Sequence, residues 1–290
     1  MSTDRSGWAL AAAAVTGVQV GAAMVATRYV AGEVGPASLA CMRYALAVLC
    51  LVPFLIASGR PRIAPRDALA VALLGIVQFG LLIALLNFGL RHMSATRAAL
   101  LFATFPLLTM LVAAALGRES LTRRKSAGVL LALAGVGIAL GEAIFSPAGE
   151  EEWIGALAVL GSALCGAVCS VLYRPYLGRC PTLWVGAIAM SASVLFLAPL
   201  SWPEGLFSAP PVLDGLGWAS VLFIGLSSGA GYLLWLGALK HASPTKVTVF
   251  LSLSPVTAAV LGVLLLGEPL TPATALGTAT VVLGLIVATR

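Results

Sequence analysis

Leu90-Arg91-His92-Met93-Ser94-Ala95-Thr96-Arg97 is read again, 149 positions later, as Leu239-Lys240-His241-Ala242-Ser243-Pro244-Thr245-Lys246. The match runs on without a gap. Pro106 answers to Pro255, Glu119-Ser120-Leu121-Thr122 to Glu268-Pro269-Leu270-Thr271, and Gly128 and Gly135 to Gly277 and Gly284. Charged, capping and helix-breaking residues recur together, which marks an internal duplication. Each copy belongs to a half with five apolar segments of membrane length, and five is odd. If both halves thread a bilayer in turn, the second stands upside down relative to the first. Inverted repeats of this kind place a solute site where the halves meet.

Working outward, the composition requires a membrane. The chain of 290 residues is 60% hydrophobic and only 10% charged, with a mean hydropathy of +1.04. A soluble domain carries roughly a quarter charged residues, so this chain cannot cover a water-facing surface. In lipid every spanning backbone group must be paired internally, which leaves helices or a closed barrel. The apolar runs are continuous, rich in Leu, Ala and Gly, and lack the two-residue alternation of barrel strands. The fold class expected is therefore all-α and integral to the membrane: ten transmembrane helices, as two inverted five-helix repeats (1–145 and 146–290) around a central cavity. The spans read 8–30, 37–57, 67–90, 94–116, 124–144, 153–174, 181–201, 215–239, 243–266 and 271–289. The first span is too long for a cleaved signal peptide and is expected to be retained.

Basic residues orient the chain. With the N-terminus inside, thirteen Lys and Arg fall on the cytoplasmic side, among them Arg60, Arg62, Arg66 and the Arg123-Arg124-Lys125 run. Three (Arg28, Arg91, Arg97) fall outside, and Arg43 lies within the second span. That bias puts both termini in the cytoplasm. The net charge of +6 is thus a topology signal, and nucleic acid is not an expected partner.

Polar groups at membrane depth are the candidate site, because a buried amide or hydroxyl without a partner costs about 1–3 kcal/mol. Gln78 and Ser227 occupy equivalent mid-span positions, and Gln19 lies mid-way along the first span. Pro106 and Pro255 interrupt spans 4 and 9 at equivalent positions, each removing a backbone donor and disturbing the carbonyl four residues earlier. That suggests spans 4 and 9 line something polar, and Ser252 and Ser254 beside Pro255 agree. Tyr232 and Trp235 share a helix face with Ser228; they either face a cavity or, for Trp235, join the interfacial aromatic belt. Arg43 lies about seven residues into span 2, ~10 Å from the boundary. It either meets a substrate carboxylate, forms a structural ion pair, or snorkels outward. No Asp or Glu falls mid-span: Asp67, Glu119, Glu142 and Glu268 sit at span ends.

Other chemistries find no support. Gly225-Leu226-Ser227-Ser228-Gly229 spells the nucleophile-elbow pattern but lies inside a helix rather than on a strand-to-helix turn. No phosphate-binding G-x-x-x-x-G-K-[ST] occurs. The five cysteines have no metal or redox spacing. No cofactor and no metal is expected. Spans 5 and 10 are nearly all apolar and suit peripheral buttresses or the contact of a homodimer.

These residues together resemble the EamA group of the drug/metabolite transporter superfamily. The resemblance rests on five-plus-five spans, Pro36…Arg43 in span 2, the paired prolines, and Gly117-Arg118-Glu119 and Gly267-Glu268-Pro269-Leu270 closing spans 4 and 9. Within the group the chain is most similar to the YddG-type exporters of aromatic amino acids. The resemblance implies a basket of helices around a central cavity, spans 5 and 10 outside it, and alternating access. It implies efflux of amino acids and related metabolites from a bacterial cytoplasm. The residues agree on a cavity lined by spans 1, 3, 4, 6, 8 and 9. Without a mid-membrane acid, that cavity suits a neutral or zwitterionic solute, such as a hydrophobic or aromatic amino acid. Broad-specificity drug efflux and nucleotide-sugar or phosphate exchange are the alternatives.

Overall fold

The computed structural model describes residues 2–118, 120, 122–145, 150–209, 211–268 and 271–289; Glu119, Pro269, Leu270 and Arg290 lie outside them. The described residues are helical and contain no strand. The main helices are α1 (Ser2–Val30), α2 (Pro36–Ser58), α3 (Pro65–His92) and α4 (Ala95–Ala115). They continue as α5 (Arg123–Phe145), α6 (Glu150–Leu172), α7 (Thr182–Ser201) and α8 (Gly215–His241). The last two are α9 (Pro244–Leu266) and α10 (Pro272–Thr289). Among the described residues, eight helical segments are long and apolar enough to cross a membrane, in α1–α4 and α6–α9. Helix ends fall within three residues of the expected spans, except that α1 starts at Ser2.

Local chemistry explains the boundaries. Proline opens α2, α3 and α9, where its missing N–H is not needed and its φ suits the first turn. Ser94 caps α4 by accepting from the Arg97 N–H at 3.2 Å, and Asp214 caps α8 by accepting from the Gly217 N–H at 2.6 Å. Arg91 and His92 end α3, and Lys240 and His241 end α8, which suits the negative end of each helix dipole.

Contacts between remote segments sort the connections to two ends. At one, Arg179 pairs with Asp67 at 3.5 Å, Arg118 donates to the Val171 carbonyl at 2.9 Å, and Trp184 donates to Ser58 at 3.1 Å. At the other, Arg28 donates to the Leu90 and Arg91 carbonyls at 2.9 and 3.0 Å. There Glu204 accepts from the Ala37 and Ser38 N–H groups at the start of α2 at 3.1 and 2.6 Å. Glu268 does the same for α4, accepting from the Ala95 N–H and the Thr96 hydroxyl, both at 2.8 Å. Carboxylates at helix N-termini meet unpaired N–H groups and the positive dipole end together. Tyr29 donates to Asp214 at 2.8 Å. The Gly217 backbone N–H, and then the Tyr29 hydroxyl, hold the Asp214 carboxyl below the usual range.

Helices α5 and α10 lie side by side and antiparallel. A methyl group on Gly135 would sit 2.6 Å from the Gly277 carbonyl oxygen and 2.9 Å from the Val281 nitrogen. One on Gly284 would sit 2.6 Å from the Gly128 oxygen and 2.8 Å from the Ala132 nitrogen. Shifting each residue by 149 positions turns one set of contacts into the other. Helices α1 and α9 pair as α6 and α4 do: Gly21 packs against Ser254, and Gly166, 145 positions after Gly21, against Phe105, 149 before Ser254.

Three helices depart from regular geometry. α4 breaks at Ala103–Thr104 and restarts with Pro106 in its first turn. α9 tightens to a 3-10 segment over Val249–Leu253 and restarts with Pro255 in its first turn. Each proline therefore stands where a new helix begins, and the Leu251 carbonyl accepts from the Ser254 N–H instead. α3 widens to a π-turn over Ile76–Leu81, whereas α8 runs straight. Gly75 and Gly225 are 150 residues apart, but Gly80 and Gly229, like Leu90 and Leu239, are 149 apart. α3 holds one more residue at this level, and the π-turn absorbs it.

Candidate functional site

A cavity of about 90 Å³ lies among α1, α2, α3, α4, α8 and α9. It has room for several waters. Five pairs of its lining residues stand 149 apart: Phe79 and Ser228, Leu82 and Gly231, Ile83 and Tyr232, Leu86 and Trp235, Phe102 and Leu251. α3 and α8, and α4 and α9, thus offer matching faces to one space. α1 and α2 add Thr16, Gln19, Arg43 and Tyr44. The lining includes α2 and no described residue of α6, where the sequence led to α6 and not α2. Gly155 and Gly166 press α6 against α3 and α4 from behind, so α6 supports the wall and does not face the space.

Rings dominate the wall. The centroids of Tyr44 and Phe79 lie 4.7 Å apart, those of Phe79 and Tyr232 4.3 Å, and those of Phe102 and Phe105 5.3 Å. Phe105 meets Trp235 edge-on at 6.3 Å. The polar groups are few. Arg43 donates through Nε to Ser228 Oγ at 2.6 Å, while Ser228 donates to the Ile224 carbonyl. Its neighbour Ser227 points the other way and accepts from Gln19 Nε2 at 3.1 Å. Adjacent serines thus tie α8 to α2 and to α1. Thr16 donates to the Ala12 carbonyl at 2.8 Å and reaches the Gly231 carbonyl at 3.3 Å. Gln78 sits in the π-turn, and the buried Tyr232 hydroxyl has no hydrogen-bond partner among the described residues. Among the described residues, no carboxylate lines the cavity.

Of the residues singled out from sequence, Gln19, Gln78, Arg43, Tyr232 and Trp235 line this space. Ser227 stands behind it, holding Gln19. Ser252 and Ser254 lie elsewhere. Ser252 borders a void of about 10 Å³ against Ala103, Gly128 and Gly284, and Ser254 is fully buried where α9 crosses Gly21 of α1. The 3-10 segment ahead of Ser254 turns 3.0 residues per turn instead of 3.6, so the serine stripe rotates off the cavity face. Ser228, Phe79, Phe102 and Phe105 complete the site. Ser228 was legible through its spacing of four and seven residues from Tyr232 and Trp235.

The EamA-like transporter family matches residues 7–141 and 153–290. The chain belongs to that family. Several relatives match over most of their length. A Streptantibioticus cattleyicolor protein named as a probable terminal-alkyne amino-acid exporter is 31% identical over 100% of this chain and 95% of its own length. An Archaeoglobus fulgidus protein named as an uncharacterized transporter is 28% identical, over 93% and 94%. The Bacillus subtilis transporter YyaM is 26% identical, over 92% and 89%. A solved crystal structure superposes with a TM-score of 0.75 at 25% identity, covering 96% of this chain and 98% of its own. This EamA transporter is a membrane protein, and its cargo is a small molecule.

Proposed function

We propose that this chain exports small hydrophobic amino acids from a bacterial cytoplasm across the inner membrane by alternating access. Its ten helices form two inverted repeats, 1–145 and 146–290, with both termini cytoplasmic. The observation that carries the reading is the chamber whose wall repeats at 149 positions, ring-rich, holding one cation and no acid. The exchange of contacts between Gly135 and Gly284 supports the inversion. In such a fold one half rocks against the other around a fixed midplane site.

The chemistry of the wall favours amino acids over the alternatives. A strongly cationic drug would meet Arg43 and no carboxylate. A sugar phosphate would require several inward basic groups, where the lining offers one. The similar S. cattleyicolor protein is named for amino acids whose side chain ends in an alkyne, a narrow apolar group. Volume narrows the expectation of an aromatic solute: a dry cavity of ~150 Å³ admits benzene, and about 90 Å³ is smaller. A solute with a short aliphatic side chain therefore needs the wall to move less than one with a phenyl ring.

Counterflow into proteoliposomes tests this. Vesicles preloaded with valine should take up labelled valine faster than labelled serine, lysine or phenylalanine. Equal uptake of all four, or uptake of cationic drugs alone, refutes the substrate reading.

A further inference from the structure

We propose that the two Nη groups of Arg43 grip the carboxylate of the transported solute, so that the site selects monocarboxylates. This rests on the export reading above and gives it a recognition element. Arg43 is 8% exposed and lines the chamber. Its described interactions are the Nε hydrogen bond to Ser228 and the ring of Tyr44, 5.6 Å away. Neither neutralises it.

Depth shows where the group points. Arg43 comes seven residues after the start of α2 at Pro36, ~10 Å along the axis. In α8, Gly225 packs against the Arg43 carbonyl and Gly229 against Ala47, so Ser228, beside Gly229, stands about one turn deeper than Arg43, ~5 Å along the axis. A side chain that reaches from the first level to the second aims at mid-membrane, away from the nearer headgroups. A snorkelling arginine would point the other way, and among the described residues no acidic side chain completes an ion pair.

A buried cation without a counter-charge is costly to keep out of water. The planar guanidinium carries a rigid fork of donors that matches a carboxylate. The group therefore gains most from an anion that arrives and leaves. With Nε occupied, the Nη pair remains to form the two parallel hydrogen bonds that suit a carboxylate. Ser228, held by the Ile224 carbonyl, keeps the fork from swinging away. The apolar part of the solute then faces Phe79, Tyr232 and Trp235.

The test uses purified full-length protein, with two readouts. Thermal stabilisation is measured with valine and valinamide, and with isobutyrate and isobutyramide; valine counterflow is measured with each as competitor. The acid of each pair should act about 10- to 100-fold more strongly than its amide, the size expected of charge-assisted hydrogen bonds. In R43Q that ratio should fall to near one, and in R43K to an intermediate value. A structural arginine would lower the response to acid and amide together and leave their ratio unchanged. Should R43Q fail to fold, the wild-type ratio and R43K still decide. Amides that match acids in the wild type overturn the anchor, as does an undiminished ratio in R43K or R43Q. Isobutyrate binding that depends on Arg43, without valine flux, would sink the export reading and leave the anchor standing.

Discussion

A single methyl group added at Gly135 or at Gly284 probes the symmetry of the fold quantitatively. In Gly135→Ala the new carbon lies 2.6 Å from the Gly277 oxygen; in Gly284→Ala it lies 2.6 Å from the Gly128 oxygen. Carbon and oxygen settle at about 3.3–3.6 Å, so α5 and α10 must part by roughly 0.7–1 Å. Overpacking of this kind costs about 1–3 kcal/mol. At about 2–4 °C per kcal/mol, each variant should melt roughly 2–12 °C lower. The cysteines report the melting: Cys41, Cys169 and Cys180 are buried and free, so a thiol-reactive fluorophore reads unfolding in detergent. The two variants should fall together. Valine flux per folded molecule should hold, because no described residue of α5 or α10 lines the chamber. One variant at wild-type stability with the other crippled would refute the argument from paired repeats.

Other perturbations follow from individual contacts. Glu268→Gln keeps the shape of the cap over Ala95 and Thr96 but removes its charge; a loss of about 1–3 kcal/mol is expected, seen as a lower melting temperature, and an unchanged one contradicts the cap. Trp235→Ala removes a ring from the chamber wall, so the phenylalanine-to-valine flux ratio should rise several-fold; a flat or falling ratio speaks against size as the filter. The depressed Asp214 carboxyl stabilises the fold above its ordinary range and loses that contribution as pH falls through its folded value. Melting curves of Asp214→Asn should accordingly converge on wild type in acid and diverge toward neutral pH, and parallel curves throughout would exclude the link.

Much of this architecture was legible because lipid leaves the backbone little choice. Runs of about twenty apolar residues set the helices, and Gly135 and Gly284, which the offset of 149 matches, make corresponding contacts. Gln78, Tyr232 and Trp235 were found by depth and helical spacing alone. What failed depended on local winding. Ser252 lies within the 3-10 segment Val249–Leu253 and Ser254 directly follows it, so both turn off the face a regular helix would present, and no residue in the segment announces it. The π-turn left a trace that a gapless reading overlooks: Gly75 and Gly225 are one step out of register with Leu90 and Leu239. Trading α6 for α2 in the wall is a matter of which small residues let helices approach, and Gly155 and Gly166 bring α6 behind the others.

The most direct trial of a water-reachable chamber between two opposed halves is labelling from each face of the membrane. With the five native cysteines replaced, a single cysteine at Gln78 in the π-turn is treated with a membrane-impermeant thiol reagent, in right-side-out and in inside-out vesicles. Reaction from both faces, slowed by valine, is the predicted result. Protection from both faces with and without valine, in protein that still exchanges valine, would contradict the account.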